Sequence, residues 1–324
     1  MGAALACRGA ACYGVGVVRP APTDLTVSPL LLATLVAVIA VAVWRLVARR
    51  RGGQPPRAWR TASMALAVVL LAIAYVSPLE TLAAHYLLTA HLLQVTLVMG
   101  FVPPLILLGL LPVAPSPARS RAVRAAEWCA HPAAAIVLVN VVFFGWHATP
   151  LYQASLLNTE LYSFQQVSLL LVSLAFWWPI VKPAGYGRWS MGSLAKLGYI
   201  LLATIPQTFA GLLFALAHHA FYTDYAGAAR VVGLTPLGDQ QVAGACMALL
   251  SKLALFAAFS VVMWRMLEPH GADGDMDDDG GGGDDRDAPT PVRPGAPAWL
   301  RLLDSPRLRE EPSVPRRGAP AGRR

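Results

Sequence analysis

The chain has 324 residues, is 56% hydrophobic with a mean hydropathy of +0.52, and has only 14% charged residues. A soluble domain carries about 25% charged residues, and here the charges cluster between long apolar runs, which excludes an ordinary globular protein and indicates a polytopic membrane protein. The net charge of +8 is therefore read as arginine flanking membrane spans; the bilayer is the expected partner and nucleic acid is not.

In chain order, residues 1–28 form a short extracytoplasmic segment containing Cys7 and Cys12, which do not make a CxxC pair. Seven apolar stretches follow, at about 29–47, 61–77, 84–111, 132–149, 162–181, 194–217 and 240–264. Each is expected to be a helix, because lipid leaves the backbone no partner outside its own segment and no alternating barrel pattern is present. The fold class is all-α, an integral membrane bundle of seven transmembrane helices over 29–267. Basic residues concentrate in alternate connections: Arg49, Arg50, Arg51, Arg57 and Arg60, then Arg119, Arg121 and Arg124, then Lys182, Arg188 and Lys196. Such loops face the cytoplasm, which places the N-terminus outside and the C-terminus inside. Residues 268–324 turn acidic and glycine-rich, then rich in proline and arginine, the composition of a disordered cytoplasmic tail.

The third stretch holds the polar residues most costly to place in lipid. His85, His91 and Gln94 lie in its first half, and Pro103 and Pro104 interrupt it later. His91 and Gln94 share a face at i, i+3, with Met99 further along, whereas His85 lies about 240° around the helix from His91. Different helices must therefore combine to make a site. On the expected topology His147, His218 and His219 reach the same outer level, as do Tyr222, Tyr225 and Asp239. Imidazole and thioether donors suit copper, Cu(I) above all. The plainer alternative is that boundary histidines only hydrogen-bond in the interface. Lys252, in the middle of the last stretch, has no acid at matching depth.

Three blocks resemble the CtaG family of membrane proteins linked to assembly of caa-type cytochrome c oxidase: SPLETLAAHYLLTAHLLQ with PPLILLG, WHATPLYQASL with FWWP, and HHAFYTDY with LTPLGDQQVAG. The resemblance implies seven spans and a role supporting copper insertion into the oxidase, with oxidase subunits as partners. Residue by residue it carries over to His91, His147, His219, Tyr222, Asp239 and Gln240, and less directly to His85. Many relatives carry a histidine where this chain has Val95, and another near Gln165 and Gln166.

The expected function is that of a cytochrome c oxidase assembly factor in the bacterial cell membrane. It would assist copper insertion, or hold an oxidase subunit during metallation, at the outer face. The candidate metal ligands are His91, His147, His219, Tyr222, Asp239, His85, Gln94 and Met99, and copper is the only cofactor expected. No nucleophile–base constellation or phosphate-binding loop is present, so no enzyme is expected. The alternatives are a metal-free scaffold for oxidase assembly and a membrane redox protein with histidine-ligated haem b.

Overall fold

A computed structural model describes residues 20–52, 57–111, 128, 130–182, 189, 191–222, 225 and 228–268. Cys7, Cys12, Arg119, Arg121, Arg124, Arg188 and the tail beyond 268 lie outside them. The described residues contain helices and no strand.

Helix α1 (Pro29–Arg51) starts with proline at its first position, where the missing N–H costs nothing. Helix α2 (Ala58–Val76) leads through Ser77 into the short α3 (Pro78–His85), and the Ser77 hydroxyl accepts from Leu79 N–H. Helix α4 (Leu88–Thr96) continues through a π-helical turn (Leu97–Phe101) into α5 (Val102–Leu110). Helix α6 (Pro132–His147) bends by 67° into α7 (Thr149–Leu157). Asn158 caps α8 (Thr159–Val181) by accepting from Glu160 and Leu161 N–H. Helix α9 (Ser193–Ala215) and the long α10 (Pro236–Leu267) complete the bundle.

Six of these helices are long and apolar enough to cross a membrane: α1, α2, the continuous Leu88–Leu110 unit, α8, α9 and α10. The bent α6–α7 pair makes a seventh if counted as one span. The protein is thus all-α, with six to seven candidate spans. Its outer faces carry large apolar side chains, among them Val43, Phe209, Leu213 and Phe256, which water would not tolerate as a continuous belt.

The third expected span, 84–111, is not one helix. The chain leaves helical geometry at Tyr86 and Leu87, so His85 ends α3 while His91 belongs to α4. No glycine or proline marks this break. It is stabilised from a distant part of the chain, because Asp239 accepts hydrogen bonds from Leu88 N–H at 2.7 Å and Thr89 N–H at 3.1 Å and so caps α4. The proline pair, expected as the interruption, leaves the helix continuous. Pro103 and Pro104 cannot donate to the carbonyl of Met99 four or five residues back, so the turn widens to π geometry. The indole N–H of Trp177 donates to that Met99 carbonyl at 2.9 Å and satisfies it.

Helices α9 and α10 pack closely through Gly211 and Gly244. A Cβ on Gly244 would lie 2.5 Å from the Gly211 carbonyl oxygen. Small residues at this crossing let the backbones approach, as membrane helices require where no hydrophobic force drives them together. At the α3 end of the bundle, residues 20–28 are tied down. The Tyr86 hydroxyl donates to the Pro20 carbonyl and the Thr81 hydroxyl to the Asp24 carbonyl; the Thr26 hydroxyl donates to Glu80, and Ser163 to Ser28.

Candidate functional site

The α4 cap places His91 just over half a turn beyond Thr89 and aims it into the bundle, where it is fully buried. Helix α6 brings His147 to the same level at its C-terminal end, also buried, with the two ring centroids 5.4 Å apart. Tyr152, on α7, lies against both: its ring centroid is 4.8 Å from that of His91 and stacks at 5.8 Å on His147. The bend between α6 and α7 makes this possible by folding Tyr152 back over the histidines.

The hydrogen bonds define the protonation of both rings. Nδ1 of His147 lies 2.7 Å from the Phe143 carbonyl oxygen, which can only accept, so Nδ1 carries the proton. The Tyr162 hydroxyl donates to Gln94 Oε1 at 2.6 Å. Its oxygen is then the acceptor for Nδ1 of His91 at 3.1 Å. In a neutral imidazole this leaves Nε2 as a bare lone pair. Nε2 of His91 and Nε2 of His147 are both buried without a hydrogen-bond partner. Buried polar atoms are nearly always satisfied, so two such atoms on adjacent rings call for an explanation. Orienting a ring through a hydrogen bond at one nitrogen, with the other left open, is how proteins prepare a histidine to bind a metal.

A polar belt supports the pair. Gln94 donates to the Ala74 carbonyl at 2.7 Å and receives Gln166 Nε2 at 3.3 Å, while Gln165 lies 3.2 Å from the Ser155 hydroxyl. All three glutamines are fully buried, and Gln165 Nε2 and Gln166 Oε1 have no partner. Tyr152 and Tyr225 hydroxyls meet at 2.6 Å, and Tyr225 donates onward to the Ala83 carbonyl.

The remaining predicted residues are placed around this pair, not in it. Asp239 has both carboxylate oxygens engaged in capping α4. Gln240 accepts from Phe221 N–H and donates to the His219 carbonyl, and Gln241 donates to the Ala217 carbonyl. These bonds fix the loop that presents Tyr222, whose hydroxyl donates to the His147 carbonyl at 2.7 Å. Burial holds the Tyr222 phenol above its ordinary range, so it stays a neutral donor. His219 is exposed, with its ring against Phe221. His85 lines a different cavity, of about 290 Å³, with Glu80, Ala84, Ser155 and Tyr162. Met99 lines a small cavity of about 40 Å³ with Met247, Phe143 and Trp177. Lys252 donates to the Ser251 hydroxyl at 3.1 Å. Among the described residues, no three His, Cys, Asp or Glu side chains converge as a metal site.

Sequence reasoning missed Tyr152, Tyr162 and Glu80. Tyr152 and Glu80 stand inside the WHATPLYQ and SPLE blocks, and their proximity to His147 and His85 was the available signal. Tyr162 had none, because its role depends on α8 facing α4.

The fold and site together define a polytopic helical membrane protein built around a buried, paired set of histidines at one end of the bundle. The sequence profile of the cytochrome c oxidase caa3 assembly factor family (Caa3_CtaG) matches residues 37–268, and the chain belongs to that family. Neither the curated proteins nor the solved structures contain a significant match to it.

Proposed function

We propose that this assembly factor carries Cu(I) between Nε2 of His91 and Nε2 of His147 and releases it to a cytochrome c oxidase subunit at the outer face of the bacterial cell membrane. Copper is cargo in this reading, and no bond of an organic substrate is broken. The observation that supports it is the pair of buried, unpartnered Nε2 atoms on adjacent rings whose Nδ1 atoms are both committed to donating. Neutral imidazole suits copper, and two ligands hold an ion loosely enough for a carrier to give it up. The flanking Tyr152 ring adds an electron-rich face beside a bound monovalent cation.

The cavity lined by Glu80, His85 and Tyr162 supplies an approach. It ends against Tyr162, whose hydroxyl contacts His91. Burial raises the Glu80 carboxyl to about 7, against the opposing effect of the Thr26 hydroxyl that donates to it. A carboxyl that changes charge near neutral pH in the wall of this cavity suits admission and release of a cation.

The test is copper content after anaerobic loading of the detergent-purified protein with Cu(I) and removal of excess. About one copper per chain is expected, lost in both His91→Ala and His147→Ala. Folded protein that retains no copper would overturn the reading, as would an oxidase that is fully metallated in cells carrying either variant. The metal-free scaffold would then stand.

A further inference from the structure

A second built feature lies at the opposite end of the bundle from the histidines, where α1, α2 and α5 enclose a groove of about 400 Å³. Arg45, Arg49, Arg57 and Arg60 line it, and its length is apolar, with Ile39, Leu46, Met64 and Val68. No acidic residue is among the described residues that line it. Arginines that merely flank a membrane span reach into headgroup water and need no site. Arg60 does not fit that description. It is only 8% exposed, and its Nε and Nη1 are buried without a hydrogen-bond partner. Its guanidinium carbon lies 4.9 Å above the Trp59 ring, which holds the plane in place while leaving those donors unused. Close contact of α2 with α5 at Gly109, where a Cβ would sit 2.9 Å from the Met64 Cβ, closes the back of the groove.

A buried cation such as Arg60 with unpartnered donors is costly, and the like charges of Arg45, Arg49 and Arg57 lining the same groove add to that cost, which an anion would relieve. Guanidinium forks match phosphate oxygens in geometry and charge. The apolar wall beneath matches a hydrocarbon chain.

We propose that this groove binds an anionic phospholipid, its phosphate on the donors of Arg60 and the neighbouring Arg45, Arg49 and Arg57 and its acyl chain along the α1–α2 wall. The charge of the rim and the apolar length below it are both used by a lipid. A free phosphate would use only the first, and a zwitterionic lipid would bring a cation to a cationic rim. Binding there ties α1 to α2 and α5 and is independent of copper.

The experiment is native mass spectrometry of the whole chain released from detergent, titrated with phosphatidylglycerol, with phosphatidylcholine and with inorganic phosphate. Phosphatidylglycerol should be retained roughly ten-fold better than phosphatidylcholine, a ratio in keeping with several arginines acting near a membrane surface. Arg60→Gln should reduce that ratio to about one, whereas Arg50→Gln, which removes an exposed charge outside the groove, should leave it unchanged. Arg49→Gln, on the partly buried rim, gives the same reading through a milder change should Arg60→Gln fail to fold, and a several-fold loss is expected. Equal retention of the two lipids would overturn the proposal. So would a loss in Arg50→Gln as large as in Arg49→Gln, or inorganic phosphate that displaces phosphatidylglycerol.

Discussion

Replacing Asp239 separates two roles, the copper ligand expected from the sequence and the helix cap seen in the structure. Its carboxylate is 4% exposed and accepts from two backbone donors, Leu88 N–H and Thr89 N–H. In Asp239→Ala both donors lose their acceptor at the start of α4. Each buried donor left unsatisfied costs about 1–3 kcal/mol, and loss of the negative charge at a helix N-terminus adds a few tenths more, so about 3–4 kcal/mol is expected. For a bundle of this size that is about 6–16 °C in unfolding temperature. Asp239→Asn keeps one acceptor oxygen and should lose about half as much. Tryptophan fluorescence during a thermal ramp in detergent measures the shift, and copper loading is followed in parallel. Because His91 lies close behind the capped turn, the cap acts on the histidine by positioning, and copper affinity should fall about ten-fold while stoichiometry at saturation is kept. If both variants unfolded at the wild-type temperature yet lost copper altogether, Asp239 would be a ligand and the capping argument would be wrong.

Two further outcomes follow from the packing and from the buried carboxyl. Gly244→Ala should destabilise by about 1–3 kcal/mol, because the new Cβ would lie 2.5 Å from backbone atoms of Ala215 and Gly211, so α9 has to move. Gly198→Ala, which has no atom within 4 Å of its new Cβ, should unfold at or above the wild-type temperature, and equal thermal shifts for the two would refute the close-approach reading. For Glu80, the folded carboxyl is raised to about 7 from an ordinary 4.5. The folded state therefore holds a proton that the unfolded state has lost between those values. The stabilisation is fully present below about 4.5 and fades as pH rises through 7, with an upper bound of about 3 kcal/mol. Hydrogen exchange of residues 20–28 should accordingly speed up from pH 5 to pH 8 beyond the intrinsic rate. Glu80→Gln should remove that excess, and an unchanged pH profile in the variant would count against Glu80 as its source.

The chain's hydropathy alone established the class of fold, because in lipid an apolar run of about twenty residues has no choice but to be helical. The positions of α1, α2, α8, α9 and α10 follow from it to within a few residues. Of the polar residues that local sequence marked, His91, Gln94, His147, Tyr222 and Asp239 all belong to one connected end of the bundle. Local sequence could not rank them, since a carboxylate that caps a helix and one that binds a metal look alike in a linear sequence. The tertiary structure decided three things. The break at Tyr86–Leu87 depends on Asp239, some 150 residues away, and has no local signal. The helix survives Pro103 and Pro104 because Trp177 of α8 supplies the hydrogen bond that the prolines cannot. That Nε2 of both His91 and His147 is left without a partner follows from the engagement of their Nδ1 atoms by Tyr162 and Phe143. Each of these is a hydrogen bond or close approach between segments far apart in the chain. Hydropathy and spacing report only what a residue does to its own helix, so such pairings become legible once the helices are packed.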